Sequence, residues 1–167
     1  MAVGRKANVD SLNLADAGIE FTPRGIVVDD RTMQTNVPHI YAIGDINGKM
    51  MLAHAATFQG IVALDHIMGI ENNIDLSVMP AAVFTTPEAA SVGMTEDECK
   101  EAGRSVKCLK SFFRANGKAV TMAQTDGFCK LVVDAETGEI LGCHLFGPHA
   151  SDIVQEACAL ISRKATI

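Results

Sequence analysis

Five short apolar runs, each closed by turn chemistry, constrain the second half of this chain more than any other feature: "PAAVFTT" from Pro80, "AASVGM" from Ala89, "SVKCLKSFF" from Ser105, "FCKLVVD" from Phe128 and "EILGCHLF" from Glu139. Runs of this length, rich in β-branched and aromatic residues, suit strands rather than helices. Between the last two, "DAETGE" (residues 134–139) puts Gly138 where a short hairpin needs positive φ, which makes that pair antiparallel. Thr95 and Glu98 match a capping box, in which hydroxyl and carboxylate satisfy the open N–H groups of a helix start, and Gly103 closes that short helix. Residues 151–164 place Ile153, Val154, Ala157, Cys158 and Ile161 on one helical face, with Ser151 as N-cap and Arg163 and Lys164 at the end where the dipole favours cations. Residues 75–167 are therefore expected to be α+β, an antiparallel sheet with helices packed on one face.

A polar break, "IENNIDLS" (residues 70–77), sets this region off from what precedes it, and the boundary is placed at residue 74. In residues 1–74, "IVVDD" after Gly25 reads as one strand and "HIYAIGD" (residues 39–45) as another. The second has no polar alternation, the habit of a parallel strand covered on both faces in a layered α/β domain. Residues 50–68 keep Leu52, Ala55, Ala56, Ala63, Leu64 and Ile67 at helical spacing, and Gly69 supplies a stop.

Composition narrows the function classes. With 48% hydrophobic residues in 167, the chain has material for a packed core, and its formal charge of −6 repels nucleic acid and anionic membrane surfaces alike. The start "MAVGRKANVD" lacks the apolar core of a signal peptide, and no apolar stretch of about 18 residues could span a bilayer, so a cytoplasmic protein with no membrane partner is expected. The five cysteines include neither CxxC nor CxxxxC, and are expected to stay reduced. The histidines form no HxxxH or HExxH, so no metal is expected. His144 is read as a structural residue of an apolar strand and His149 as a solvated residue at a helix start.

The candidate site is the pair Gly44–Asp45, at the end of the apolar run 39–45 and just before the helix. Ligands of open α/β sheets bind beyond the strand ends. Gly44 allows close approach, Asp45 accepts hydrogen bonds from ribose or ribityl hydroxyls, and the helix start near residues 50–54 presents unpaired N–H groups. A second reading stays open at this point, with Asp45 merely capping the next helix.

"TNVPHIYAIGDINGKMMLAHAA" resembles the second flavin-contacting motif of the pyridine-nucleotide disulfide oxidoreductases, and "VGRKAN", "VFTTPEAASVGMTEDE" and "DAETGEILGCHLFGPHASDIVQEA" are similar to successive landmarks of that family's C-terminal region. The likeness covers nearly the whole chain and points, through "MLAH" and "GPHASDIVQEA", to the lipoamide branch. Glutathione and mercuric reductases share the scaffold. The resemblance implies FAD held by Gly44, Asp45, Met51, Leu52, Ala53 and His54, with Asp45 on the ribityl chain and the Leu52 and Ala53 N–H groups at the flavin's pyrimidine edge. Branch members often carry Pro at the position of Met50 and Lys at that of Ala55, a departure that weakens helix pre-organisation modestly.

It further implies residues 1–74 as the tail of an NAD domain and a returning FAD-domain segment, residues 75–167 as a dimerisation domain, NAD bound elsewhere, a homodimer, and a lipoyl-bearing partner from a 2-oxo acid dehydrogenase complex. The family's CxxxxC and C-terminal His-Glu pair are not in this sequence, so no catalytic residue is assigned. The chain is expected to be a C-terminal fragment, inactive alone, with a stand-alone dimerisation module as the alternative. Apolar residues such as Ile43, Phe58 and Ile61 are expected to be exposed, and "VFTTPEAASVG" with "LGCHLFGP" to offer the dimer surface.

Overall fold

The computed structural model describes residues 4–167 and divides into two units, Met1–Leu76 and Ser77–Ile167, each with its own core.

In the first unit β1 (Phe21–Thr22) and β2 (Gly25–Ile26) form a two-residue antiparallel hairpin. "IVVDD" thus gives a strand only its first residue. The chain then turns on Asp29, whose Oδ1 accepts from the Arg31 and Thr32 amides and the Thr32 hydroxyl. The strand expected over residues 39–45 is not formed. A strand is a pairing relation, and the backbone that meets this run is the other arm of its own turn: one Gln34–Tyr41 bridge, with Thr35 N–H donating to Ile40 O and Ala42 N–H to Met33 O. Ala42 is buried beside Met33, Ile26, Val28, Val62 and Ala63, while Ile43 is exposed.

The helix α1 (Ala53–Met68) starts later than residue 50, so Met50 lies ahead of it, its carbonyl accepting from Leu52 N–H at 3.0 Å, and the Pro position does not bear on its first turn. It ends where expected: Gly69 takes φ 67°, its N–H donating to His66 O and that of Ile70 to Asp65 O, the paired bonds of a Schellman cap. Ala55, Gln59, Val62 and Ala63 turn inward. Leu64 and Ile67, expected on the apolar face, turn outward with Phe58, Ile61 and Met68. Apolar residues ring this helix, so spacing alone does not choose its buried side.

In the second unit β3 (Ala81–Val83), β4 (Glu88–Gly93), β5 (Val106–Phe112), β6 (Phe128–Asp134) and β7 (Ile140–Gly147) form one antiparallel sheet in the order β3-β4-β7-β6-β5. Gly138 turns the β6–β7 hairpin at φ 77°, and a bulge at Val132/Val133 absorbs its extra residue. The helix α2 (Glu96–Glu101) follows β4 with the Thr95–Glu98 capping box, and α3 (Gly117–Thr121) lies in the β5–β6 connection. The last helix, α4 (Ala150–Ser162), packs Val154 and Ala157 on Ala90, Val92, Cys143 and Leu145.

Three expectations are corrected here. The helices do not share one face: His144, Lys130 and Gly142 alternate with the residues under α4, and it is they that meet Met94 O and Glu96, so α2 covers the opposite side. Ser151 is not the N-cap of α4, which is His149 at φ 61°. Its amide and hydroxyl both donate to Glu88 Oε2, at 2.9 and 2.7 Å, because the β4 carboxylate supplies the acceptor that a cap would. And "LGCHLFGP" is not a surface, since β7 is paired on both edges and covered by α4. Ile140–Cys143 and Leu145 are buried, and Phe146 is the exposed apolar residue, whereas Val83 and Phe84 at the end of β3 are 58% and 81% exposed.

Candidate functional site

The turn that carries Asp45 is held from its buried side. Gly44–Asn47 is a single 3-10 turn opened by Gly44 at φ 75° and closed by Gly48 at φ 66°. Gly48 is required twice over: its φ is left-handed, and a Cβ there would stand 2.0 Å from Arg24 O of the β1–β2 hairpin. Gln59 and Asn47, only 4% and 6% exposed, pin the turn to α1. Gln59 Oε1 accepts from Gly44 N–H at 2.7 Å and from Asn47 Nδ2 at 2.9 Å, Asn47 Nδ2 donates also to Ala42 O at 3.1 Å, and Lys49 N–H donates to Asn47 Oδ1 at 3.0 Å.

So held, the turn directs Asp45 outward with its side chain 54% exposed. Arg5 Nη1 donates to Asp45 Oδ2 at 3.0 Å, and Arg5 Nη2 to the Met51 carbonyl. Asp45 does not cap α1, which removes that reading. The N-cap is Leu52, without a side-chain bond, and the first helical bond runs from Ala56 N–H to Leu52 O. The first-turn amides therefore have no intrahelical acceptor and lie at the positive end of the helix dipole.

The six expected site residues thus fall on one stretch of the first unit. Gly44 is buried at the turn, Asp45 exposed, Met51 and Leu52 half-buried in the lead-in, and Ala53 and His54 exposed in the first turn of α1. Arg5 ties two of them, Asp45 and Met51, together. An exposed carboxylate on a pinned turn, next to an uncapped helix start, can accept bonds from the hydroxyls of a polyol arm and stabilise an anionic or electron-rich group beside it. Gln59, Asn47 and Arg5 are absent from the sequence expectation. For Gln59 there is a signal, a polar residue one turn after Ala55 on an otherwise apolar face.

Elsewhere, His144 Nε2 lies 3.2 Å from Met94 O, and His149 Nδ1 3.2 Å from Asp152 Oδ2 in solvent. All five cysteines are free thiols, Cys99 and Cys143 buried and Cys108 exposed. Cys129 and Cys143 approach to 3.8 Å between sulfurs. Either sulfur could donate; with the proton kept on the more buried Cys143, the contact pulls Cys129 down to about 7 and, with burial, holds Cys143 up. Among the described residues no group of three or more His, Cys, Asp or Glu side chains is arranged to hold a metal ion, and no helix is long and apolar enough to cross a membrane.

Two family models match. Residues 79–167 match the pyridine nucleotide-disulphide oxidoreductase dimerisation domain, and residues 1–60 the pyridine nucleotide-disulphide oxidoreductase domain. The chain is 44% identical over its whole length to a dihydrolipoyl dehydrogenase of Chlamydia muridarum, covering 36% of that protein. To that of Corynebacterium glutamicum it is 46% identical over 160 residues, 93% of this chain and 34% of the relative. It therefore spans about a third of the length of these relatives. Among solved structures, LpdA from Mycobacterium tuberculosis superposes with a TM-score of 0.84 at 29% identity, over 99% of this chain and 36% of that one. The HOCl-induced flavoprotein disulfide reductase RclA from Escherichia coli gives 0.79 at 26% identity, over 99% and 38%.

Proposed function

We propose, for a chain that belongs to the pyridine nucleotide-disulphide oxidoreductase family, that it is the flavin-contacting and dimer-forming part of a dihydrolipoyl dehydrogenase. The complete enzyme oxidises dihydrolipoyl groups carried by a protein of a 2-oxo acid dehydrogenase complex, in the cytoplasm, with NAD as final acceptor bound outside this chain. FAD supplies the two-electron relay between thiols and nicotinamide. The observation that carries the reading is the exposed Asp45 carboxylate on its pinned turn, directly ahead of the uncapped start of α1.

The residues present fit a flavin. Asp45 would accept from ribityl hydroxyls and the Ala53 amide would donate to the electron-rich edge of the ring system, whereas the Leu52 amide is taken by Met50 O at 3.0 Å and Gly44 gives its room to α1, a Cβ there standing 3.2 Å from that of Ala56. Met51, half-buried, and His54, exposed, would complete the lining from the same stretch. The exposed Phe58, Ile61 and Leu64 on α1 suit a helix covered on both sides in the complete enzyme. The second unit supplies a two-fold interface, for which Val83 and Phe84, with Ile153 and Leu160 on α4, offer exposed apolar surface.

The test has two steps. The full-length protein is first loaded with excess FAD, freed of unbound cofactor and examined by visible absorption; retained flavin is expected, and a colourless protein overturns the cofactor reading. Turnover is then measured with dihydrolipoamide and NAD, where activity is expected. A flavin-bound protein that instead reduces glutathione disulfide or mercuric ion with NADPH belongs to a sister reductase.

A further inference from the structure

We propose that Arg5 is a positioning residue of the flavin site, its guanidinium gripping the Asp45 carboxylate and the Met51 carbonyl at once, so that a single side chain sets both the acceptor for a cofactor hydroxyl and the approach to the α1 amides. The inference rests on the flavin reading above.

The two acceptors lie on either side of the 46–50 segment. On its buried side that segment is tied down by Gln59 and Asn47; on its exposed side Arg5 ties it. A guanidinium suits the task because its N–H groups diverge in a rigid fork and satisfy two separate oxygens, which the point charge of a lysine does not. Arg5 engages Oδ2 of Asp45, leaving Oδ1 outside the ion pair for a hydroxyl donor. By holding the Met51 carbonyl it also neutralises a negative dipole beside the helix start, where an electron-rich ligand edge would otherwise be repelled. Both side chains are more than half exposed, 61% for Arg5 and 54% for Asp45. Such a pair contributes little to folding, so its effect falls on the ligand rather than on the fold.

The test measures FAD release from the full-length holoenzyme, followed by the rise in flavin fluorescence, for wild type, Arg5→Met and Arg5→Lys. Thermal unfolding of the flavin-free forms is measured alongside. Arg5→Met is expected to speed release on the order of tenfold, the scale of a lost charge-assisted hydrogen bond. Arg5→Lys falls between it and wild type, and the flavin-free thermal midpoints stay unchanged. In an Asp45→Asn background Arg5→Met speeds release by a smaller factor than in wild type, since the ion pair is already lost and only the hold on the Met51 carbonyl remains to be removed. Wild-type protein that holds FAD while Arg5→Met releases it at the same rate overturns the Arg5 assignment alone, as does faster release matched by a fall in the flavin-free midpoint. Wild-type protein that holds no FAD overturns the functional reading and this one with it.

Discussion

Gln59 on α1 accepts the backbone N–H of Gly44 at 2.7 Å, and the same oxygen takes Asn47 Nδ2, so one buried amide fixes where the Asp45 turn sits. Gln59→Leu leaves both donors buried without that acceptor. The expected cost is about 1–3 kcal/mol, read by chemical denaturation, together with weaker flavin retention by the full-length protein. A loss below about 0.5 kcal/mol would show that water replaces the amide.

Gly142 and Gly103 separate two reasons for a glycine. A Cβ on Gly142 would stand 2.0 Å from Met94 O, a backbone atom that cannot swing aside as a side chain does. Gly103 has φ 70° and nothing within 4 Å of a Cβ. Gly142→Ala is expected to cost about 3 kcal/mol, the upper end of overpacking, and Gly103→Ala about 1–2 kcal/mol for the left-handed conformation alone. Urea midpoints of the two variants check the ranking, and equal costs would sink it.

These contrasts mark what a sequence can disclose. The five short runs become five strands and Gly69, Gly103 and Gly138 become stops because their causes are local: run length and residue type, turn chemistry, positive φ. The run 39–45 misleads because its apolar residues show burial without showing a pairing partner. Ser151 looks like an N-cap because Glu88, 63 residues away, leaves no trace in the local pattern. Residues 44–54 can be singled out from the Gly-Asp pair and the family likeness, whereas the Arg5–Asp45 contact spans 40 positions and shows no periodicity.

Acid should destabilise the second unit through carboxylates that accept hydrogen bonds when folded. Ser151 N–H, then its hydroxyl, lowers Glu88 below its ordinary 4.5. The Thr95 amide and hydroxyl do the same for Glu98, and the Thr137 and Glu136 amides for Asp134. A carboxylate depressed on folding contributes stability that is fully present above its unfolded value and is lost as pH falls through the folded one. Stability is therefore level near neutrality and falls as pH drops below about 4.5. Ser151→Ala makes that fall shallower and Glu88→Gln more so. Urea midpoints measured from about pH 3 to 7 check this, and an acid limb equally steep in Glu88→Gln rules Glu88 out.

The Cys129–Cys143 pair sets an opposite, alkaline dependence. Either sulfur could donate across 3.8 Å, but Cys143 is 2% exposed and Cys129 half-buried, so the charge is cheaper on Cys129 and the proton stays on Cys143. Cys129 then titrates near 7 against an ordinary 9.0. Being lower when folded, it adds stability as pH rises from about 7 to 9. Cys158, held up by burial, subtracts stability above 9.0, and Cys143 does likewise. Cys143→Ala removes the donor and leaves burial alone to act on Cys129, which moves up. Thiolate ultraviolet absorbance, titrated in wild type, Cys143→Ala and Cys129→Ala, should show one low-titrating thiol that both substitutions abolish. If the low step survives in Cys143→Ala, the hydrogen bond is not its cause, and if it survives in Cys129→Ala, the thiolate has been placed on the wrong sulfur.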